Sequence, residues 1–332
     1  MNSINTNFAA ITALQSLNQT NRNMVETQSR ISTGFRVGQA ADDAAYWSMA
    51  TTMRSDNKSL SAVSDALGLG SATVDVAYTA MESAIDVTTE IQKKLVAARE
   101  PGVDRAKVQT EIDALQDQLR SIAESASFSG QNWLSVDNGQ SAGGTYSYKA
   151  IEEVVSSFVR TGTSVKVGTI QIDISATHLF NKNTDGAGGA IGSGSATADQ
   201  LGILGSARST TTGEIDAAGT IVIASADGAA EMDISNATDA EVDAFISAVD
   251  RALQEMTTAA TDLGSAKKRI DLQAQFVSNL SDAISRGVST LVDADMNRES
   301  TRMQALQVQQ QLGIQALSLA NGNSQNILAL FR

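Results

Sequence analysis

Few residues in this chain have the type and spacing that chemistry requires. Asp42 and Asp43 are adjacent carboxylates, and paired carboxylates do general acid–base work when both converge on one point. Neighbours on a helix point about 100° apart, so this pair reads as a helix cap or an ion-pair partner. His178 is the sole histidine. It follows a candidate strand in Ala176-Thr177-His178-Leu179-Phe180 and reads as a surface or packing residue. Residues 186–194 are glycine-rich but spell neither G-x-G-x-x-G nor G-x-x-x-x-G-K-[ST], the patterns of backbone phosphate cradles. There is no H-E-x-x-H and no Cys, which removes thiolate nucleophiles, disulfides and Cys-based metal sites. The sequence therefore offers no catalytic, cofactor-binding or metal-ligating residues, and no cofactor is expected.

The composition narrows the classes further. The chain has 332 residues, a length that suggests roughly two domains. Its formal charge is −13, with 8 Phe, 4 Tyr and 2 Trp. So acidic a chain repels phosphate and has few rings for bases to stack on, which argues against nucleic acid as a partner. No run of 18 apolar residues is present, so no membrane insertion is expected. The first basic residue is Arg22. Without a basic and then apolar leader, the expected fate is the cytoplasm or export without a cleaved signal. One Pro in the whole chain favours long uninterrupted helices.

Periodicity shows what those helices are for. Leu60, Leu67, Val74, Met81 and Leu95 share one seven-residue register, with Thr88 its polar member. Val63, Gly70, Ala77, Ala84, Ile91 and Ala98 form the row three residues on, a seam whose small residues let a partner approach closely. Pro101-Gly102 breaks this helix, and Asp104 is placed to cap the next. That helix carries Val108, Ile112, Leu115, Leu119, Ile122 and Ala126, so the two should fold back as an antiparallel hairpin. A third seam runs through Val249, Met256, Leu263, Ile270, Val277, Ile284 and Leu291, with Ile246, Leu253, Ala260, Ala274 and Val288 read as its second row. A helix over about 240–290 would be about 75 Å long at about 1.5 Å per residue. A plain coiled coil or helical bundle would satisfy all of this.

The ends and the middle depart from that pattern. Ala10, Leu17, Met24 and Ile31 form a register near the start, with Ile4, Phe8, Ile11 and Leu14 beside them. The other end is apolar more broadly, through Leu306, Val308, Leu312, Ile314, Leu317, Leu319, Ile327, Leu328, Leu330 and Phe331. One partner helix cannot cover so wide a face, which points to burial in an assembly. Between about 134 and 240 the heptads vanish. Residues 154–159, 164–167, 169–174 and 220–223 read as short strands. Residues 181–246 carry ten acidic and two basic residues and 10 of the 25 glycines, marking a turn-rich, solvated insert; the run from Asp185 to Ser195 fits a flexible linker equally well.

Two segments carry a family resemblance. Ile31-Ser32-Thr33-Gly34-Phe35-Arg36-Val37, followed by Ala40-Ala41-Asp42-Asp43-Ala44-Ala45, resembles the N-terminal signature of bacterial flagellins. Asp293-Ala294-Asp295-Met296 and the closing stretch 318–332 resemble that family's C-terminal elements. The Gly38-Gln39 and Tyr46-Trp47 variations make it most similar to the shorter alphaproteobacterial type. The resemblance covers about 1–135 and 245–332.

It implies a mainly α fold: a long helical hairpin or coiled-coil bundle formed by both chain ends, with a small β-containing outer insert. Residues 1–44 and 292–332 would form an inner coiled-coil layer, 45–135 and 245–291 a helical-bundle layer, and 136–244 a β-rich, Gly-rich acidic outer region. The function implied is a structural subunit that polymerises into the flagellar filament, with a hook–filament junction protein as the alternative. The self-assembly interface would comprise Ile4, Phe8, Ile11, Leu14, Leu17, Met24, Ile31, Leu306, Leu312, Leu317, Leu319, Ile327, Leu328, Leu330 and Phe331. Gly34, Arg36, Gly38, Asp42 and Asp43 would connect the layers, with Arg36 either ion-paired to Asp42 or Asp43 or solvated. The implied partners are other flagellin subunits in a homo- or co-polymer, filament cap and junction proteins, an export chaperone and the type III export apparatus. The implied location is the extracellular filament.

Overall fold

The computed structural model describes residues 7–136, 151–162, 164–181, 202–205, 208, 222–224 and 232–330. Five helices dominate: α1 (Phe8–Thr33), α2 (Ala44–Ala98), α3 (Arg105–Ser125), α4 (Asp239–Val292) and α5 (Met296–Leu330). Between α3 and α4 lie short strands β1 (Ser127–Phe128), β2 (Gln131–Asn132), β3 (Ser135–Val136) and β6 (Phe180–Asn181), and a longer hairpin, β4 (Ile151–Thr161) with β5 (Ser164–Asp173). The strands form three two-stranded pairs: β1–β2 and β4–β5 antiparallel, β3–β6 parallel. The mainly α reading with a small strand-containing insert is what the chain adopts. The chain divides into two compact units, Met1–Ser59 with Asn279–Arg332, and Leu60–Ser278.

In the second unit α2 and α4 run antiparallel, tied by Arg99 Nε to Asp243 Oδ1 at 2.8 Å, Gln92 to Asp250 at 3.3 Å, and the Lys267–Asp75 ion pair. Both rows read on α2 from Leu60 to Ala98 are buried. Its polar member, Thr88, donates to Ala84 O at 2.8 Å and lies 3.7 Å from Met256 Sδ, so its buried hydroxyl is satisfied. On α4 the first row holds from Val249 through Val277. The second row differs from expectation. Ala252, Ala259 and Ala266 are buried, whereas Leu253 and Ala260 are only half-buried. The buried alanines lie three residues beyond each large core residue, and their small size is what lets two helices approach. The expectation had favoured the bulkier side chain one place on.

α3 folds back on α2 as expected, joined by the Lys94–Glu111 ion pair and by Arg105 Nε to Ala98 O at 3.2 Å. Its buried face carries two glutamines that hydrophobic periodicity passed over. Gln109 donates to Met232 O at 3.1 Å and accepts from Ile234 N at 2.8 Å. Gln116 donates to Ile223 O at 2.7 Å. These amides bind returning segments of the insert along α3. A small apolar cluster of Leu134, Leu179, Phe180, Leu204 and Ile223 is fully buried there. Arg208, one of the two basic residues in the acidic stretch, is buried and paired with Glu255 Oε2 at 2.6 Å. His178 is also buried, so it packs rather than lying on the surface; burial pushes its pKa below 6.5. The two short runs expected at 164–167 and 169–174 are one continuous strand, β5, across a bulge at Val155/Ser157. Residues 222–224 are not strand, and the rest of the 220–223 candidate lies outside the described residues, as does the Gly/Ser run 185–195.

The β4–β5 hairpin docks on the bundle. Gln273 Nε2 donates to Ser156 O at 2.9 Å, and Val154 sits on Gly70, where an added Cβ would meet its Cγ1 at 2.4 Å. Gly70, read as a close-approach position for a helix, is in fact occupied by this strand. Gly→Ala inside a helix normally stabilises by about 1 kcal/mol, and Gly264→Ala should do so, since its Cβ would rest 3.6 Å from Tyr78. Gly70→Ala should do the reverse, losing about 1–3 kcal/mol to overpacking. Thermal melts of the two variants should shift in opposite directions.

Candidate functional site

The first unit is built around α1 and α5. Asn7 caps α1 by accepting from Ala10 N at 3.0 Å, and its Nδ2 donates to Ala320 O at 2.9 Å. Gln310 donates to Asn21 Oδ1 at 2.8 Å, and Arg30 bridges Glu26 at 2.5 Å and Glu299 at 3.4 Å. These contacts set the two helices antiparallel. The seam between them is narrow and made close by Gly313, where a Cβ would lie 3.2 Å from Leu17 Cδ1. Leu306 is buried, and Leu17, Met24, Ile31 and Leu317 are half-buried.

That seam uses only one side of each helix. Phe8 (65% exposed), Ile11, Leu14, Leu312 and Leu319 (72%) stand in solvent, with Val25, Val308 and Ile314. Ile4 and Phe331, and the side chains of Ile327, Leu328 and Leu330, lie outside the described residues. Exposed large side chains on helices that already have a partner are the mark of an interaction surface. Burying each half-exposed one would contribute about 1–2 kcal/mol. No helix among the described residues is long and apolar enough to cross a membrane, and no group of His, Asp or Glu there gathers as metal ligands would.

The connecting segment, residues 34–43, is held by backbone as much as by side chains. Gly34 ends α1 in the left-handed conformation, φ +75°, with its N–H on Arg30 O at 2.8 Å; glycine adopts that geometry without the cost of a Cβ. Gly34 O then accepts from Ala294 N at 2.8 Å, and Phe35 bridges Asp293. The N–H groups of Arg36 and Val37 both reach Val292 O, at 2.7 and 3.2 Å. These bonds cap the C-terminal end of α4, whose last carbonyls have no helical partner. Arg36 donates from Nη2 to Leu291 O at 2.8 Å and lies over the Tyr46 ring at 5.8 Å. It makes no ion pair with Asp42 or Asp43 within the chain.

Those two carboxylates are used locally. Asp43 Oδ1 accepts from Ala45 N and Tyr46 N at 3.0 and 3.1 Å, capping α2. Asp42 Oδ2 accepts from Gln39 N and Gly38 N at 3.0 and 2.9 Å. Those backbone donors, Gln39 first, hold its carboxyl below the ordinary 3.8. What Asp42 adds to the turn is thus present above about pH 3.8 and lost as pH falls through the lowered value. Beneath the segment, Val37, Ala50, Val288 and Val292 form a buried cluster flanked by Phe35, Trp47, Met53, Ile284 and Leu291. Asp295 caps α5 through Asn297 N at 3.0 Å. Sequence reasoning placed Gly34, Arg36, Gly38, Asp42 and Asp43 together, and the structure gathers them in one turn. It missed Val292 and Leu291 as their carbonyl partners and Glu299 as the buried partner of Arg30, because those contacts join residues more than 250 positions apart.

Comparison with known proteins agrees with this arrangement of two ends. A family model for the bacterial flagellin N-terminal helical region matches residues 4–138, and one for the bacterial flagellin C-terminal helical region matches residues 246–331. Over the full length of both chains, the protein is 51% identical to a flagellin C of Rhizobium meliloti strain 1021 and 45% identical to a flagellin B of Rhizobium meliloti. It is 41% identical, again over both full lengths, to a flagellin of Brucella melitensis biotype 1.

Proposed function

This chain belongs to the bacterial flagellin family, the structural subunits of the flagellar filament, and from that premise we propose how it assembles. The observation that carries the proposal is the solvent-exposed apolar face of the α1–α5 pair. Phe8, Ile11, Leu14, Leu312 and Leu319 remain uncovered after the two helices have packed on each other. Further copies of the chain cover that face. Stacking through differing contact surfaces, with a rotation that closes no ring, propagates as an open helical filament.

Residues 1–44 with 292–332 act as the inner layer, and 45–135 with 245–291 as the surrounding bundle. Residues 136–244 point outward, which places most of the chain's excess negative charge on the outer surface. Gly34, Arg36, Gly38, Asp42 and Asp43 form the connection between the inner layer and the bundle. Of the other residues expected at the interface, Leu306 is buried and Leu17, Met24, Ile31 and Leu317 are half-buried in the seam, so they hold α1 and α5 together beneath that face, while Ile4, Ile327, Leu328, Leu330 and Phe331 extend it. The chain co-assembles with its own copies or other flagellins, contacts cap and junction proteins at the filament's ends, and leaves the cell unfolded through the export apparatus with a chaperone. Near-absence of Pro and complete absence of Cys suit a chain that is threaded outward and then built into long helices. Immunogold labelling of intact cells with antibody to residues 181–246 tests this reading. Label along the whole filament supports it, and label confined to the hook–filament junction opposes it.

A further inference from the structure

Two features of the second unit, on different helices, are complementary. The first is on α4. Leu272 and Phe276 are one helical turn apart on one face and stand 61% and 58% exposed. Lys268 and Arg269, four and three residues before Leu272, share that face, are exposed, and make no ion pair among the described residues. The second feature is an open groove of about 530 Å³ between α2 and the end of α3. Apart from Asp75, its lining is of small or apolar residues, including Ala72, Ala80, Ser83, Ile122, Ser125 and Ala126. Asp75, Glu82 and Asp86 follow one another along α2 at helical spacing beside this groove, and all three are exposed. Asp75 is taken by Lys267. Glu82 and Asp86, like the two cations, make no ion pair among the described residues.

We propose that the Leu272–Phe276 knob of one subunit seats in the α2–α3 groove of a second copy of this chain, with Lys268 and Arg269 facing Glu82 and Asp86. This rests on the filament reading and adds to it a contact in the bundle, separate from the α1–α5 face. Knob and groove are different surfaces on one molecule, so the contact is heterologous, the kind that repeats along a filament wherever its rotation closes no ring. The apolar pair supplies burial, and the unpaired charges of opposite sign fix the register and oppose other alignments. A groove lined by small side chains accepts a Leu and a Phe without moving backbone, much as small residues admit a neighbouring helix within the bundle.

Seeded elongation of the full chain tests this. Lys268→Glu with Arg269→Glu, and separately Glu82→Lys with Asp86→Lys, place like charges in contact and should each raise the critical concentration at least about tenfold. The chain carrying all four substitutions restores opposite charges and should return close to the original value. Leu272→Ser with Phe276→Ser should also raise it about tenfold or more. Thermal melting of every variant should be unchanged, since all these side chains are exposed. Normal elongation of both charge-reversed pairs, or a loss that the fourfold variant does not recover, overturns this contact and leaves the filament reading standing. Failure of the unsubstituted chain to elongate overturns the filament reading, and this contact with it.

Discussion

Removing residues 318–332 abolishes filament growth and leaves the thermal transition of the helical bundle unchanged. The truncation takes away Leu319, 72% exposed, and the stretch carrying Ile327, Leu328, Leu330 and Phe331. It also removes Ala320, whose carbonyl accepts from Asn7 Nδ2, so the start of α1 loses its partner. The compact unit Leu60–Ser278 contains none of these residues, and its core of Leu67, Met81, Ile91, Leu95 and Met256 is complete without them. At about 1–2 kcal/mol for each large apolar side chain that assembly buries, losing five such residues weakens subunit addition by several powers of ten. Electron microscopy should show no filaments, while circular dichroism should show a melting curve that overlays the full chain's main transition. Normal filaments from the truncated chain would remove the ends from the assembly mechanism.

The opposite dissociation is expected in the bundle. Leu67→Ala removes a fully buried side chain from the α2 seam and should lower stability by 2–5 kcal/mol, roughly, from lost burial plus the cavity left behind. Phe8→Ser with Leu312→Ser alters only exposed side chains and should shift the melt within about 0.5 kcal/mol, yet it should stop elongation. Chemical denaturation read by helix content, set beside seeded elongation, separates the two. If Phe8→Ser with Leu312→Ser unfolded the chain as Leu67→Ala does, the terminal face would be a core and not an interface.

Legibility in the sequence follows the range of the interaction. The α2 seam was readable in full because a seven-residue repeat is a local signal, and every member from Leu60 to Ala98 is buried. On α4 the same repeat located the first row and the buried Val288 of the second, but around 253 and 260 the second row was set one place too far. Alanine at 252, 259 and 266 carries little hydrophobic signal, although it is what close packing selects. Gln109 and Gln116 were missed for a related reason. They are polar by type, yet buried because each satisfies backbone of a segment more than 100 positions away. Arg208 counted as surface charge in the sequence, and its partner Glu255 on α4 has no local signature. At the connection, Gly34 and Asp43 could be placed because ending and starting helices are local acts. The partner of Arg36 could not, since that acceptor is a carbonyl at the end of a helix 255 residues on.

The proposed driver of polymerisation is the exposed α1–α5 face. Purified full-length protein, added to short filament seeds and followed by negative-stain electron microscopy, tests it most directly. Seeds should lengthen with time in proportion to added protein, and should not lengthen with the Phe8→Ser, Leu312→Ser variant. Seeds that stay at their starting length in the full-length protein, or that grow equally well with that variant, would contradict it.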